Sequence, residues 1–170
     1  MIPIKFYKIG LFGAVLSGIG TALFFYFTFY NGLIPPVVRF FDAWIPAVVI
    51  FFHLLLIKSF RPKTEPFHFW EAFILGNFIC CISGLVSGLI IWQISEFDPN
   101  SFHNFLNSSI KYLRITEENA PQNLKTKNLN LVIDEISRTE PRFMVWDEVK
   151  KKVMYSFILA PFLGMILRRK

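Results

Sequence analysis

His53 is the side chain best placed to carry chemistry. It is the only ionisable residue inside one of the chain's uncharged apolar runs, residues 43–57. An imidazole in that setting can relay a proton, ligate a metal or contact a ligand. A neutral ring that hydrogen-bonds a hydroxyl or carbonyl on a neighbouring helix is the commoner arrangement, and His53 reads as structural. No carboxylate is expected at its depth, so a proton path would lack a second station. Glu71 is the next candidate. It ends the stretch "FHFWE" at the head of another uncharged run, 72–95. A carboxylate there favours a helix N-terminus, and it can pair with Lys58, Arg61 or Lys63. His68 lies three residues before Glu71, and two ligands are too few for a metal site. Cys80 and Cys81 are adjacent and lie within the same run. Neighbours in sequence seldom form a disulfide, so they read as small apolar side chains at a helix contact. His103 falls on the polar face of a later helix. The chain contains no Gly-rich phosphate loop and no nucleophile elbow. We therefore expect no catalytic residue, no metal and no cofactor, with His53 and Glu71 as possible functional positions.

The elements that must position these residues are set by composition. Of 170 residues, 54% are hydrophobic, including 21 phenylalanines, more apolar material than a soluble domain carries. It is clumped into uncharged runs at 9–30, 43–57, 72–95 and 153–167. A hydrocarbon core of about 30 Å needs roughly 20 helical residues. The first and third runs meet that length, the second does so when extended to Phe40, and the fourth is short. A cleaved leader has a shorter apolar region and ends at a small-x-small site. The first run ends in "FFYFTFYNG", so it reads as a retained helix.

Charge gives an expected threading. The net charge of +6 resides entirely in the N-terminal tail, the 58–71 loop and the terminal Arg168, Arg169 and Lys170. With four crossings, all three lie on one side, which the positive-inside rule makes cytoplasmic. Residues 31–42 and 96–152 then face outward. Trp44, Trp70 and Trp92 fall at expected interfaces. The basic balance thus reads as membrane orientation, and no basic patch suits nucleic acid. The lysines at 150–152 oppose the rule. Asp147 and Glu148 precede Lys151 and Lys152 by one turn, in the favourable order for helical pairs. The lysine stems can snorkel to lengthen the fourth span.

Small residues recur at every fourth position in the third run: Gly76, Cys80, Gly84 and Gly88. Ala14, Gly18 and Ala22 do the same in the first. Close backbone approach drives helix association in lipid, and such rows permit it. We expect these helices to pack closely, against each other or in a homodimer. Pro46 and Pro161 read as tolerated kinks. In the outward segment, Phe102, Phe105, Leu106, Ile110 and Leu113 are spaced for an amphipathic helix capped by Asn100 or Ser101. "LNLVIDEIS" is a second short one. From about Pro141 one helix runs into the fourth span.

The expected fold is all-α, an integral membrane four-helix bundle with a helical extracytoplasmic insert between helices 3 and 4. Helices 1–3 occupy about 9–30, 40–57 and 71–94 within residues 1–95. The insert is 96–150, and the last helix with its basic tail is 151–170. Three stretches, "FHFWEAFILGNFICCISGLVSGLIIW", "FDPNSFHNFL" and "YSFILAPFLGMILRRK", resemble a family of uncharacterised four-span inner-membrane proteins frequent in Bacteroidetes. That resemblance implies a four-helix membrane protein with an outward insert, and it implies no activity and no functional residues. The function expected is a non-enzymatic bacterial inner-membrane protein, an accessory subunit or small-assembly component. Its partners are the lipid bilayer and other membrane proteins or a second copy, and no nucleic acid. The alternative is a small transporter or ligand-binding protein working around His53. A water-accessible cavity reaching His53 would favour the alternative.

Overall fold

The computed structural model describes residues 4–30, 35–60, 68–119 and 128–167. They form six α-helices, with no strand among the described residues: α1 Ile4–Tyr30, α2 Pro35–Phe60, α3 Phe69–Phe97, α4 Pro99–Asn119, α5 Leu129–Ser137 and α6 Phe143–Leu167. The tail at 168–170, the centre of the 58–71 loop and the loop at 120–127 lie outside the described residues, so Arg61, Lys63 and the terminal basic cluster are not placed.

Among the described residues, two helices are long and apolar enough to cross a membrane, Phe6–Thr28 and Phe69–Phe97. The apolar stretch Trp44–Phe60 in α2 is shorter. α6 has 25 residues and runs without a break through position 150. The boundary expected there between insert and last span therefore falls inside a helix. The apparent shortness of the fourth apolar run has the same origin. The helix continues by more than two turns into the charged segment that contains Asp147, Glu148 and three lysines.

α3 is the central element. α6 packs along one side of it and α1 along another, while α2 bridges α1 and α6. Small residues set these approaches. A Cβ on Gly18 would stand 2.6 Å from Val86 Cβ and 2.9 Å from the Ser83 carbonyl oxygen, so α1 meets α3 through this position. The row of small residues on α3 faces α6 instead. A Cβ on Gly84 would stand 2.9 Å from Val149 Cα, and one on Gly88 would stand 2.7 Å from Val145 Cα. A Cβ on Gly76 would collide with Ala160. In return, Gly164 of α6 receives Ala72 of α3. Cys80 is buried in the apolar cluster that also holds Ala14, Ile50, Leu54 and Ile79. No glycine on α3 is needed for contact with α1, because Ser83 and Val86 form that face.

Two apolar clusters fill the interior. One joins Phe6, Ala14, Ile50, Leu54, Leu75 and Ile79. The other joins Ala22, Phe25, Ile91, Phe102, Leu106 and Met144. α4 is held by this second cluster, with Phe102 and Leu106 buried and Phe105 against Phe25 at 5.4 Å between ring centroids. α5 is shallower; none of its residues is buried, and Ile136 rests on the same cluster. The start of α4 differs from expectation. Pro99 occupies the first helical position, where its missing N–H costs nothing, and Asp98 is the cap. Its Oδ1 accepts the Ser101 N–H at 3.1 Å, and its carbonyl accepts the Phe102 N–H at 3.2 Å. Hydrogen bonds from Ser101, its side chain first and then its N–H, hold the Asp98 carboxyl below its ordinary value.

Candidate functional site

Between the two apolar clusters lies a layer of buried polar groups. On the α1 side, Ser83 donates to Ser17 Oγ at 3.0 Å, and Thr21 donates to the Ser17 carbonyl at 2.9 Å. On the α6 side, Lys152 is 1% exposed and Glu148 2% exposed. Lys152 Nζ donates to Glu148 Oε2 at 2.6 Å and to Ser87 Oγ at 2.6 Å. Ser87 in turn lies 3.2 Å from the Gly84 carbonyl, to which its hydroxyl donates. Lys151, 17% exposed, supplies a second cation to Glu148 Oε1. One turn further along α6, Ser156 donates to Asn77 Oδ1 at 2.6 Å.

The position of this ion pair is set by α3. Gly84 and Gly88 let the α6 backbone approach, and Ser87, between them in sequence, presents its hydroxyl to the lysine. A buried charge pair is tolerable when its remaining hydrogen-bonding capacity is met. Ser87 and Lys151 perform that service here. Val149 and Val145 abut Gly84 and Gly88, so the pair sits near the middle of α3 rather than at its end. His53 is therefore not the only ionisable residue inside the bundle. The spacing of Glu148 and Lys152 identified them as a helical pair, but on the outer surface with a snorkelling lysine. The signal that would have located them is a lysine contiguous with an uncharged run that must face a row of small residues.

Above the pair lies a cleft of about 700 Å³. α4 and α5 wall it on one side, and Phe25 and the first turns of α6 wall it on the other. Its apolar lining includes Phe105, Leu106, Ile136, Met144 and Trp146, and its charged lining includes Glu135, Asp147, Glu148, Lys150 and Lys151. Glu148 links the cleft to the buried layer.

The sequence candidates fall elsewhere. His53 is buried on α2 and hydrogen-bonds the Phe6 backbone carbonyl. Its other nitrogen, Nε2, has no partner and faces Gly10, where a Cβ would stand 3.1 Å away. His53 does not line the cleft. Glu71 starts α3, where its Oε2 accepts the His68 N–H at 3.1 Å, closing the first turn. His68 is exposed and His103 lies on the exposed face of α4. Cys80 and Cys81 are free thiols. Among the described residues, no group of three or more His, Cys, Asp or Glu could hold a metal ion. The structure thus brings together Gly84, Gly88, Ser87, Glu148 and Lys152, with Cys80 one turn away on α3 and close enough to Lys152 to interact with it electrostatically, and it keeps His53 and Glu71 apart from them.

No curated protein and no solved structure matches the chain. Residues 8–169, nearly its whole length, match a family described as protein of unknown function (DUF4199), and the chain belongs to that family.

Proposed function

We propose that the chain is a four-span integral protein of a bacterial cytoplasmic membrane, with both termini inside, and that it acts without catalysis as an accessory subunit or small-assembly component. The observation that carries this reading is the use of small residues for backbone contact along α3, at Gly76, Gly84 and Gly88. Such rows bring helices together where lipid offers no hydrophobic drive. α6 supports four crossings because its charged half turns Glu148 and Lys152 inward against α3, which removes them from lipid. The outward helices α4 and α5 close over the bundle and present a surface for other membrane proteins or a second copy.

Purification of the full chain in mild detergent tests this. A membrane protein recovered in constant stoichiometry with it, or a defined homo-oligomer, is the expected result. A monodisperse monomer with only substoichiometric companions would refute the accessory role. The threading is tested separately by thiol labelling of Ser137→Cys in a background lacking Cys80 and Cys81. Labelling from outside intact cells is expected, and labelling only after lysis would reverse the orientation.

A second reading, a small transporter or ligand-binding protein, is favoured by the buried Glu148–Lys152 pair at the floor of the cleft. Ionisable groups inside a membrane commonly mark a ligand or ion path. That role would centre on Glu148 rather than His53, since the cleft does not include His53.

A further inference from the structure

We infer that the cleft between the insert and the bundle is a water-filled half-channel, open on the side of α4 and α5, that ends on the buried Glu148–Lys152 pair at the middle of the bilayer. The inference rests on the membrane reading of the previous subsection and deepens its second form. The α3–α6 contacts fix the depth. Gly84 stands at the centre of the uncharged run 72–95, and it abuts Val149. Gly88, about 6 Å further out along the helix, abuts Val145. Half a hydrocarbon core is about 15 Å. Residues 145–149 of α6 therefore lie inside the hydrocarbon layer, and so does Lys150 beside them.

Asp147 and Lys150 are exposed on that stretch. Charged side chains within membrane spans face the bundle interior or a water-filled cavity, because hydrocarbon does not solvate them. The Lys150 stem can reach toward the surface, but Asp147 has a single methylene and cannot. Both line the cleft, whose opposite wall is protein, with Phe105 and Leu106 from α4 and Glu135 from α5. Its volume of about 700 Å³ is many times what one water needs. α4 exposes Lys111, Arg114 and Glu118, so the wall it forms stands in water, and the cleft is continuous with the solution on that side. The other end is closed. Glu148, 2% exposed, forms the floor, with Lys152, 1% exposed, behind it. Beyond them the α3–α6 seam is shut, since a Cβ on Gly76 would collide with Ala160 and one on Gly164 would stand 2.8 Å from Ala72 Cβ. The path admits water and small hydrophilic solutes from the insert side alone and brings them to a buried carboxylate and its ammonium.

The test places single cysteines in the full, membrane-embedded chain, in a background lacking Cys80 and Cys81, and follows their reaction with membrane-impermeant methanethiosulfonates, one carrying a sulfonate and one a trimethylammonium. Lys150→Cys should react with both reagents, from the same side as Ser137→Cys on the insert and at a rate within about tenfold of it, as a wetted thiol does. Lys150 is exposed, so its replacement leaves the pair intact. Leu85→Cys, at the same depth on the exposed side of α3, should react at least about a hundredfold more slowly, because a thiol in hydrocarbon does not ionise. Ser156→Cys, one turn beyond Lys152 and 0% exposed, should react from neither side. Reaction of Lys150→Cys as slow as that of Leu85→Cys would overturn the half-channel and leave the membrane reading standing. A reactive Ser156→Cys would overturn the closed floor. Rapid reaction of Leu85→Cys would mean that no hydrocarbon surrounds α3, and would overturn the membrane reading together with this one.

Discussion

Glu148→Gln should be the most destabilising single change in the bundle. The substitution keeps the shape of the side chain and removes its charge. Lys152 is then left 1% exposed with neutral acceptors alone, the Ser87 hydroxyl at 2.6 Å and the amide oxygen of the glutamine, a buried cation without a counter-charge. Breaking such a pair from one side costs about 3–5 kcal/mol. Lys152→Met should cost less, because Glu148 retains Lys151, which is itself partly exposed and salt-bridged to it. The double variant removes both buried charges and should recover most of the loss, since well-packed apolar or neutral replacements of buried pairs are often neutral. For a chain of this size, the single loss corresponds to a fall in melting temperature of roughly 6–20 °C. Thermal unfolding of the four proteins in one detergent, followed by circular dichroism, gives the cycle directly. The expected signature is non-additivity of at least about 1 kcal/mol, as for residues in one network. A Glu148→Gln protein as stable as the parent, or a double variant equal to the sum of the singles, would refute the buried pair.

Three further outcomes follow from the packing and the caps. Gly84→Leu and Gly88→Leu each force a side chain into the α6 backbone, at contacts of 2.9 and 2.7 Å already for a Cβ, and should cost at least about 1–3 kcal/mol; Leu85→Ala, on the exposed side of α3, should cost less in the same melting assay. His53→Gln keeps a donor for the Phe6 carbonyl and should change stability little, whereas His53→Leu removes that bond between α2 and α1; equal melting of the two would argue against the bond. Asp98 has its folded-state pKa lowered, so its contribution is present above the ordinary carboxylate value and is lost as pH falls through the folded value. Protection against hydrogen exchange in the first turn of α4, taken relative to the intrinsic rate at each pH, should therefore fall on acidification, and Asp98→Ala should show that lower protection at neutral pH with no further pH response.

Much of the helical framework was legible in order of residues alone. The run at 72–95 is uncharged and bracketed by Glu71 and Glu96, so α3 had little freedom in extent. "LNLVIDEIS" carries its apolar residues at helical spacing, and α5 spans those nine residues. Such features are local, because hydrogen bonds and side-chain periodicity within a helix involve positions only three or four apart. The cap of α4 was misplaced by two to three residues, since Asn100, Ser101 and Asp98 are all competent caps. Proline at position 99 decides in favour of the aspartate before it.

What only the tertiary structure decided is which neighbour each helical face meets. Gly76, Gly84 and Gly88 announce close approach but do not name the approaching helix, and α1 carries a matching row. The choice of α6 depends on how α1, α2 and α6 share the circumference of α3, a matter of packing between residues far apart in the chain, as Ser87 and Glu148 are at a separation of 61. The burial of Glu148 and Lys152 follows from that choice. The same two side chains at the same spacing form a solvated surface pair on an isolated helix. They become an interior pair only when α3 brings Ser87 and two glycines opposite them, supplying a hydroxyl for the lysine and room for its backbone.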